Sequence, residues 1–117
     1  MNRFIAALFA SALGAACATA GPVPNDRLAA SEASIRGAQE AGADKTPQAQ
    51  LHLKLAADEI AQAKQLISEK KNDEAGRALD CAKADAELAV GLAREAQARA
   101  DATQAVEQIN LLQQGNK

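Results

Sequence analysis

Hydrophobic positions along the chain fall into a leader and three stretches of helical spacing. Met1-Asn2-Arg3 is a short positive start, and residues 4–16, FIAALFASALGAA, form an uncharged apolar run. That length and order match a secretory signal better than a membrane span, which needs about 20 predominantly apolar residues. Residues 18–25, ATAGPVPN, break the pattern, because Gly21, Pro22 and Pro24 discourage helix. Helical periodicity then begins. Leu28 and Ile35 are seven apart with Ala38 on the same stripe, predicting a first helix capped by Asn25 or Asp26 and ending near Ala41. Glu32 and Arg36 form a favourable i,i+4 pair on it. Gly42-Ala43-Asp44-Lys45 interrupts the pattern.

Thr46 as cap and Pro47 at the first position open a second helix. Its stripe is Leu53, Ile60 and Ile67, with Ala56, Ala57, Ala63 and Leu66 alongside, and Asn72 is expected to stop it in the left-handed conformation. Asp73 then caps a third helix without proline, running to about Gln114. Leu79, Ala82, Ala86, Ala89, Ala93, Ala96 and Ala100 repeat at three and four residues, a heptad seam made almost wholly of alanine. Asp80, Glu87, Arg94 and Asp101 make a polar stripe that reads as a solvated face. The expected fold is all-α: an antiparallel three-helix hairpin array, coiled-coil-like with an alanine seam, and a long C-terminal helix. Its parts are a signal peptide (1–16), a modified cysteine and tether (17–25), a helical domain (26–114) and a short tail (115–117).

The predicted lengths do not match. A second helix of about 25 residues is roughly 37 Å long, whereas a third of about 41 is roughly 61 Å. The third helix therefore passes the start of the second near Ala98 and continues alone. Ala98, Ala102, Ala105, Ile109 and Leu112 keep a four-three spacing on this overhang, and Val106 and Leu111 add two more large aliphatics. Val106, Ile109 and Leu112 are the expected association surface, for a second copy or another protein.

Composition sharpens this picture. Alanine occurs 31 times, and the only aromatics, Phe4 and Phe9, lie in the leader. A domain without aromatics lacks the usual apolar, ring-lined pocket of an enzyme. Past the leader there are seventeen Val, Leu and Ile residues. At roughly 1.5–3 kcal/mol per fully buried side chain, against the entropy of ordering, that predicts modest stability as a monomer. The net charge of −2 and the lack of a basic cluster argue against nucleic acid as a partner. Lys70 and Lys71 read as charge at a helix C-terminus.

Little else suggests chemistry. His52 is the only histidine; on a polar helix flank it reads as a surface residue rather than a ligand, since a metal site needs three or four donors. Asp58-Glu59 and Asp73-Glu74 are neighbours that point apart on a helix, so they make no acid/base pair. No phosphate loop or nucleophile triad is present. No enzyme activity, cofactor or metal is expected. Cys81, among alanines, reads as a small buried hydrophobe, with an intermolecular disulfide as the alternative.

Cys17 carries the clearest chemical signal. Leu13-Gly14-Ala15-Ala16 before it resembles the lipobox of bacterial lipoproteins, although Gly14 stands where leucine is usual. That resemblance implies cleavage before Cys17, a thioether-linked diacylglycerol and further acylation, giving an anchor of more than one chain. Ala18 in place of the usual aspartate retention signal favours the outer membrane, facing the periplasm. Ala18-Thr19-Ala20 offers a second reading, a soluble periplasmic protein cut after Ala20.

The segments RLAASEASIRGAQEAGA (27–43) and AGRALDCAKADAELA (75–89), around a proline-opened helix, resemble the alanine-rich envelope proteins grouped as domain of unknown function 4398. The resemblance spans about residues 26–100 and implies no catalytic residues. Some members carry a peptidoglycan-binding domain after the helices. This chain reaches Lys117 without one, so wall binding is not expected to carry over. Two functions follow: a lipid-anchored helical scaffold or spacer associating through the third helix, or a small adaptor docking on a larger envelope protein or on peptidoglycan.

Overall fold

A computed structural model describes residues 21–115. Residues 1–20, which include the expected signal peptide and Cys17, and the last two residues lie outside the described residues. Among those described, all regular structure is helical: α1 (Asn25–Glu40), a single 3₁₀ turn (Ala43–Lys45), α2 (Pro47–Ser68) and α3 (Asn72–Gly115). The third helix, with 44 residues, is twice as long as the second, with 22.

The breaks follow from local chemistry. Helix α1 follows Pro24, which fixes φ and whose carbonyl accepts from Leu28 N–H at 3.0 Å. Pro24 therefore takes the cap position expected for Asn25 or Asp26, and no side chain caps this end. Past Glu40 the chain turns at Gly42, whose φ of 84° is open to glycine and costly for other residues. Thr46 occupies the cap position of α2 with Pro47 behind it, as the sequence predicts, but its hydroxyl makes no capping bond. Instead the Thr46 carbonyl accepts from Gln50 N–H at 2.8 Å, and the Gln50 amide donates to the Asp44 carbonyl.

The α2–α3 connection corrects the sequence expectation. Lys70, not Asn72, takes the left-handed conformation, with φ 61°. Lys71 N–H donates to Leu66 carbonyl at 2.9 Å and Lys70 N–H to Ile67 carbonyl at 3.0 Å. This is the paired bond of a Schellman stop, and it satisfies carbonyls that would otherwise be orphaned. The stop therefore falls two residues earlier than expected. Asn72 is the first residue of α3, so Asp73 lies inside the helix rather than capping it. Asn72 is nearly buried, and its side-chain amide donates to the Gly21 carbonyl. The incoming chain is thus tied to the corner where α3 begins. At least its last four residues, Gly21–Pro24, lie along the protein rather than hanging free.

The core is thin and made of small residues. Ten of the twelve buried hydrophobic residues are alanine; the others are Ile60 and Leu79. One cluster joins Ala38, Ala43 and Ala49 to Ala89 and Ala93. The other joins Ile60 and Ala63 to Ala75, Leu79 and Ala82, with Leu28 and Ile35 of α1 packed against it. Alanine lets helix backbones come close, and α1 shows the result. The buried Ser31 hydroxyl sits 2.8 Å from two carbonyl oxygens, that of Arg27 on its own helix and that of Leu79 on α3. It places its single proton between them. Ion pairs mark the rim: Arg27–Asp80 at 2.8 Å and Glu32–Lys64 at 2.9 Å. Glu32 therefore pairs across helices, where the sequence suggested Arg36, and Lys64 holds its carboxyl below the usual range. The seam of α3 is buried from Leu79 through Ala93 and half-buried at Ala96, but Ala100, expected to continue it, is exposed.

Candidate functional site

From Gln97 to Gly115 every residue of α3 is exposed. This is the overhang expected from the helix lengths, and it runs about 28 Å. Val106, Ile109 and Leu112 all lie on it and are more than half exposed, as is Leu111 at 68%. The helix persists there because alanine, glutamine and leucine are strong helix formers and no proline intervenes. Local bonds support its first turns. Arg99 pairs with Glu95 at 2.5 Å, Gln97 donates to Asp101 at 2.8 Å, and the Thr103 hydroxyl donates to the Arg99 carbonyl at 2.9 Å. Past Asp101 the only charged side chain up to Gly115 is Glu107. A single helix exposing four large aliphatics with so little charge is chemically suited to burial against another helix.

The other sequence candidates are placed differently. Cys17 lies outside the described residues. The chain that follows it arrives at Gly21, beside Asn72, at the opposite end of α3 from the overhang. Cys81, expected to be buried, is a free thiol on the exposed surface of α3. Counting by heptads explains the correction: the covered positions are Leu79 and Ala82, and Cys81 falls between them on another face.

A cluster not anticipated from the sequence joins α2 to α3. His52 is half-buried, and its Nδ1 donates to Asp85 Oδ1 at 2.7 Å. Glu59, two turns along α2, also faces Asp85, and its Oε2 is buried without a partner. Burial pushes the Glu59 carboxyl above its usual range, and the nearby Asp85 charge pushes the same way. The spacing of His52 and Glu59, seven residues apart, was the available signal. Its meaning depends on Asp85, 26 residues beyond Glu59, falling opposite them. Among the described residues no group of three or more His, Cys, Asp and Glu side chains is placed to hold a metal ion. No described helix is long and apolar enough to cross a membrane.

Comparison with known proteins identifies the family. Residues 26–105 match the family described as a domain of unknown function, DUF4398, and the chain belongs to that family. No curated protein and no solved structure matches. The match begins one residue inside α1 and ends within the overhang, so it covers the packed helices and reaches just short of Val106.

Proposed function

We propose that this member of the family is a lipid-anchored helical scaffold or spacer of the bacterial envelope, held at its N-terminal end and associating through α3. The observation that carries the reading is the bare overhang with Val106, Ile109, Leu111 and Leu112 in water. A thin alanine core leaves little stability to spare, and exposed aliphatics add none. Covered by a partner, they return roughly 1.5–3 kcal/mol per fully buried side chain, before association costs. The anchor rests on the leader, Leu13-Gly14-Ala15-Ala16-Cys17, and Ala18 favours the periplasmic face of the outer membrane. In this reading the helices form an antiparallel hairpin array. The pairing of His52 with Asp85, and of Ala49 with Ala89 and Ala93, supports opposite directions for α2 and α3. The array sets the anchor and the association surface at opposite ends of α3.

Labelling with a radioactive or clickable fatty acid tests the anchor. The wild-type chain takes up label and sediments with membranes. Cys17→Ser abolishes the label and releases the domain. Unlabelled wild type with a mature N-terminus at Gly21 overturns the anchor and leaves a soluble periplasmic protein.

A further inference from the structure

Helix α3 carries a second seam that the hairpin does not cover. Cys81, Ala84, Leu88 and Gly91 repeat at three and four residues on its exposed side, and all four face solvent. They lie roughly 150° around the helix from the buried Leu79–Ala93 seam. The same spacing continues through Glu95 and Ala98 into Ala102, Ala105, Ile109 and Leu112 on the overhang. Leu88, 46% exposed, thus shares one stripe with Ile109 and Leu112, about 46 Å from end to end.

We propose that this outer seam pairs with the outer seam of a second copy, antiparallel, about a two-fold axis beside Ala96 and Gln97. The proposal deepens the association reading above by naming the occupant and its register. Side-chain size carries it. In this register each bulky residue meets a small one: Leu112 faces Cys81, Ile109 faces Ala84, and Leu88 faces Ala105. Near the axis Gly91 faces Ala102 and Glu95 faces Ala98. Knobs of one helix thereby find holes in the other along the whole seam, and the pattern is self-complementary, as a two-fold interface requires.

Charge agrees independently. On one flank Glu95 lies within about one residue of the second copy's Arg99 in axial position; on the other, Arg94 lies within about two of its Asp101. Both pairs are of opposite sign and recur across the axis, making four. Within one chain Arg99 already holds Glu95, so a second copy turns two local pairs into a bridged group. Covered faces also fit, because α1 and α2 occupy the inner seam and leave the outer one open.

Disulfide trapping tests the register in the full chain carrying Cys17→Ser, where Cys81 is the remaining thiol. Leu112→Cys in this background is expected to give a covalent dimer under mild oxidation, with peptide mapping locating the bond between Cys81 and position 112. The parent is expected to give none, because its two Cys81 residues lie roughly 46 Å apart. A Cys81–Cys81 bridge in the parent, or a bond joining the two 112 positions, overturns the antiparallel register. A second measurement does not depend on losing Leu112. Glu95→Arg is expected to weaken dimerisation roughly tenfold in sedimentation, and Glu95→Arg with Arg99→Glu to restore it. Monomeric protein at all concentrations, or weakening that the exchange does not restore, overturns the pairing. The anchor reading is decided separately, by labelling of Cys17.

Discussion

Glu59 and Lys70 sit in local environments that work against them. Glu59 buries a carboxylate oxygen without a partner beside the charge of Asp85. Its pKa is raised in the folded chain above the ordinary 4.5. The stabilisation from its protonated form is therefore complete below that value and disappears as pH rises through the folded pKa. Glu59→Gln is expected to be at least as stable as wild type at neutral pH and to lose that advantage as pH falls toward 4.5. Thermal melts across this window check it; parallel pH profiles for the two chains would refute it. Lys70 holds a positive φ that costs a residue bearing Cβ, and it does so to close the α2 stop. Lys70→Gly relieves that cost, offset partly by glycine's entropy when unfolded, for a net gain of about 1 kcal/mol. Chemical denaturation measures it, and an unchanged or lowered midpoint would count against the strain. The bias toward Asn72 as the stop shows the limit of residue preference. The structure needed Asn72 to bind Gly21 and start α3, so the left-handed position fell to an ordinary lysine.

At the scale of elements, much was legible. Pro47 marks the start of α2, Gly42 marks the break before it, and uninterrupted alanine spacing marks α3. The same spacing hid the rest. When alanine recurs on several faces of a helix, periodicity reveals that a seam exists without saying which one is covered. The spacing puts Ala100 on the covered seam and Cys81 in the core, yet both face solvent. The overhang was visible because it depends on helix length rather than on face. Its role is open to a direct test. Ile109→Asp with Leu112→Asp is expected to abolish association while preserving the packed helices, since neither side chain touches them. Sedimentation reads the first effect and circular dichroism the second, with helix loss confined to the tail. Unchanged association in the double variant would place the surface elsewhere on the molecule.

For the whole molecule, the decisive feature is the corner where Asn72 binds the Gly21 carbonyl. Each chain enters its fold at the N-terminal end of α3. Two copies paired in the proposed opposite directions therefore hold their Gly21 residues at opposite ends, roughly 70 Å apart. With the proposed anchor in place, such a pair would be tethered to one membrane at both ends and would lie flat as a strut along the surface, unable to tumble end over end. Confinement also changes the arithmetic of meeting. Chains restricted to a plane search two dimensions, and their effective concentration far exceeds that of the same number free in solution. A seam of alanine, glycine and a few leucines that pairs modestly in solution would then pair more completely where the chains are crowded together. On the proposed anchor and pairing, the shallow interface would act as an assembly rule sensitive to how densely the surface is populated.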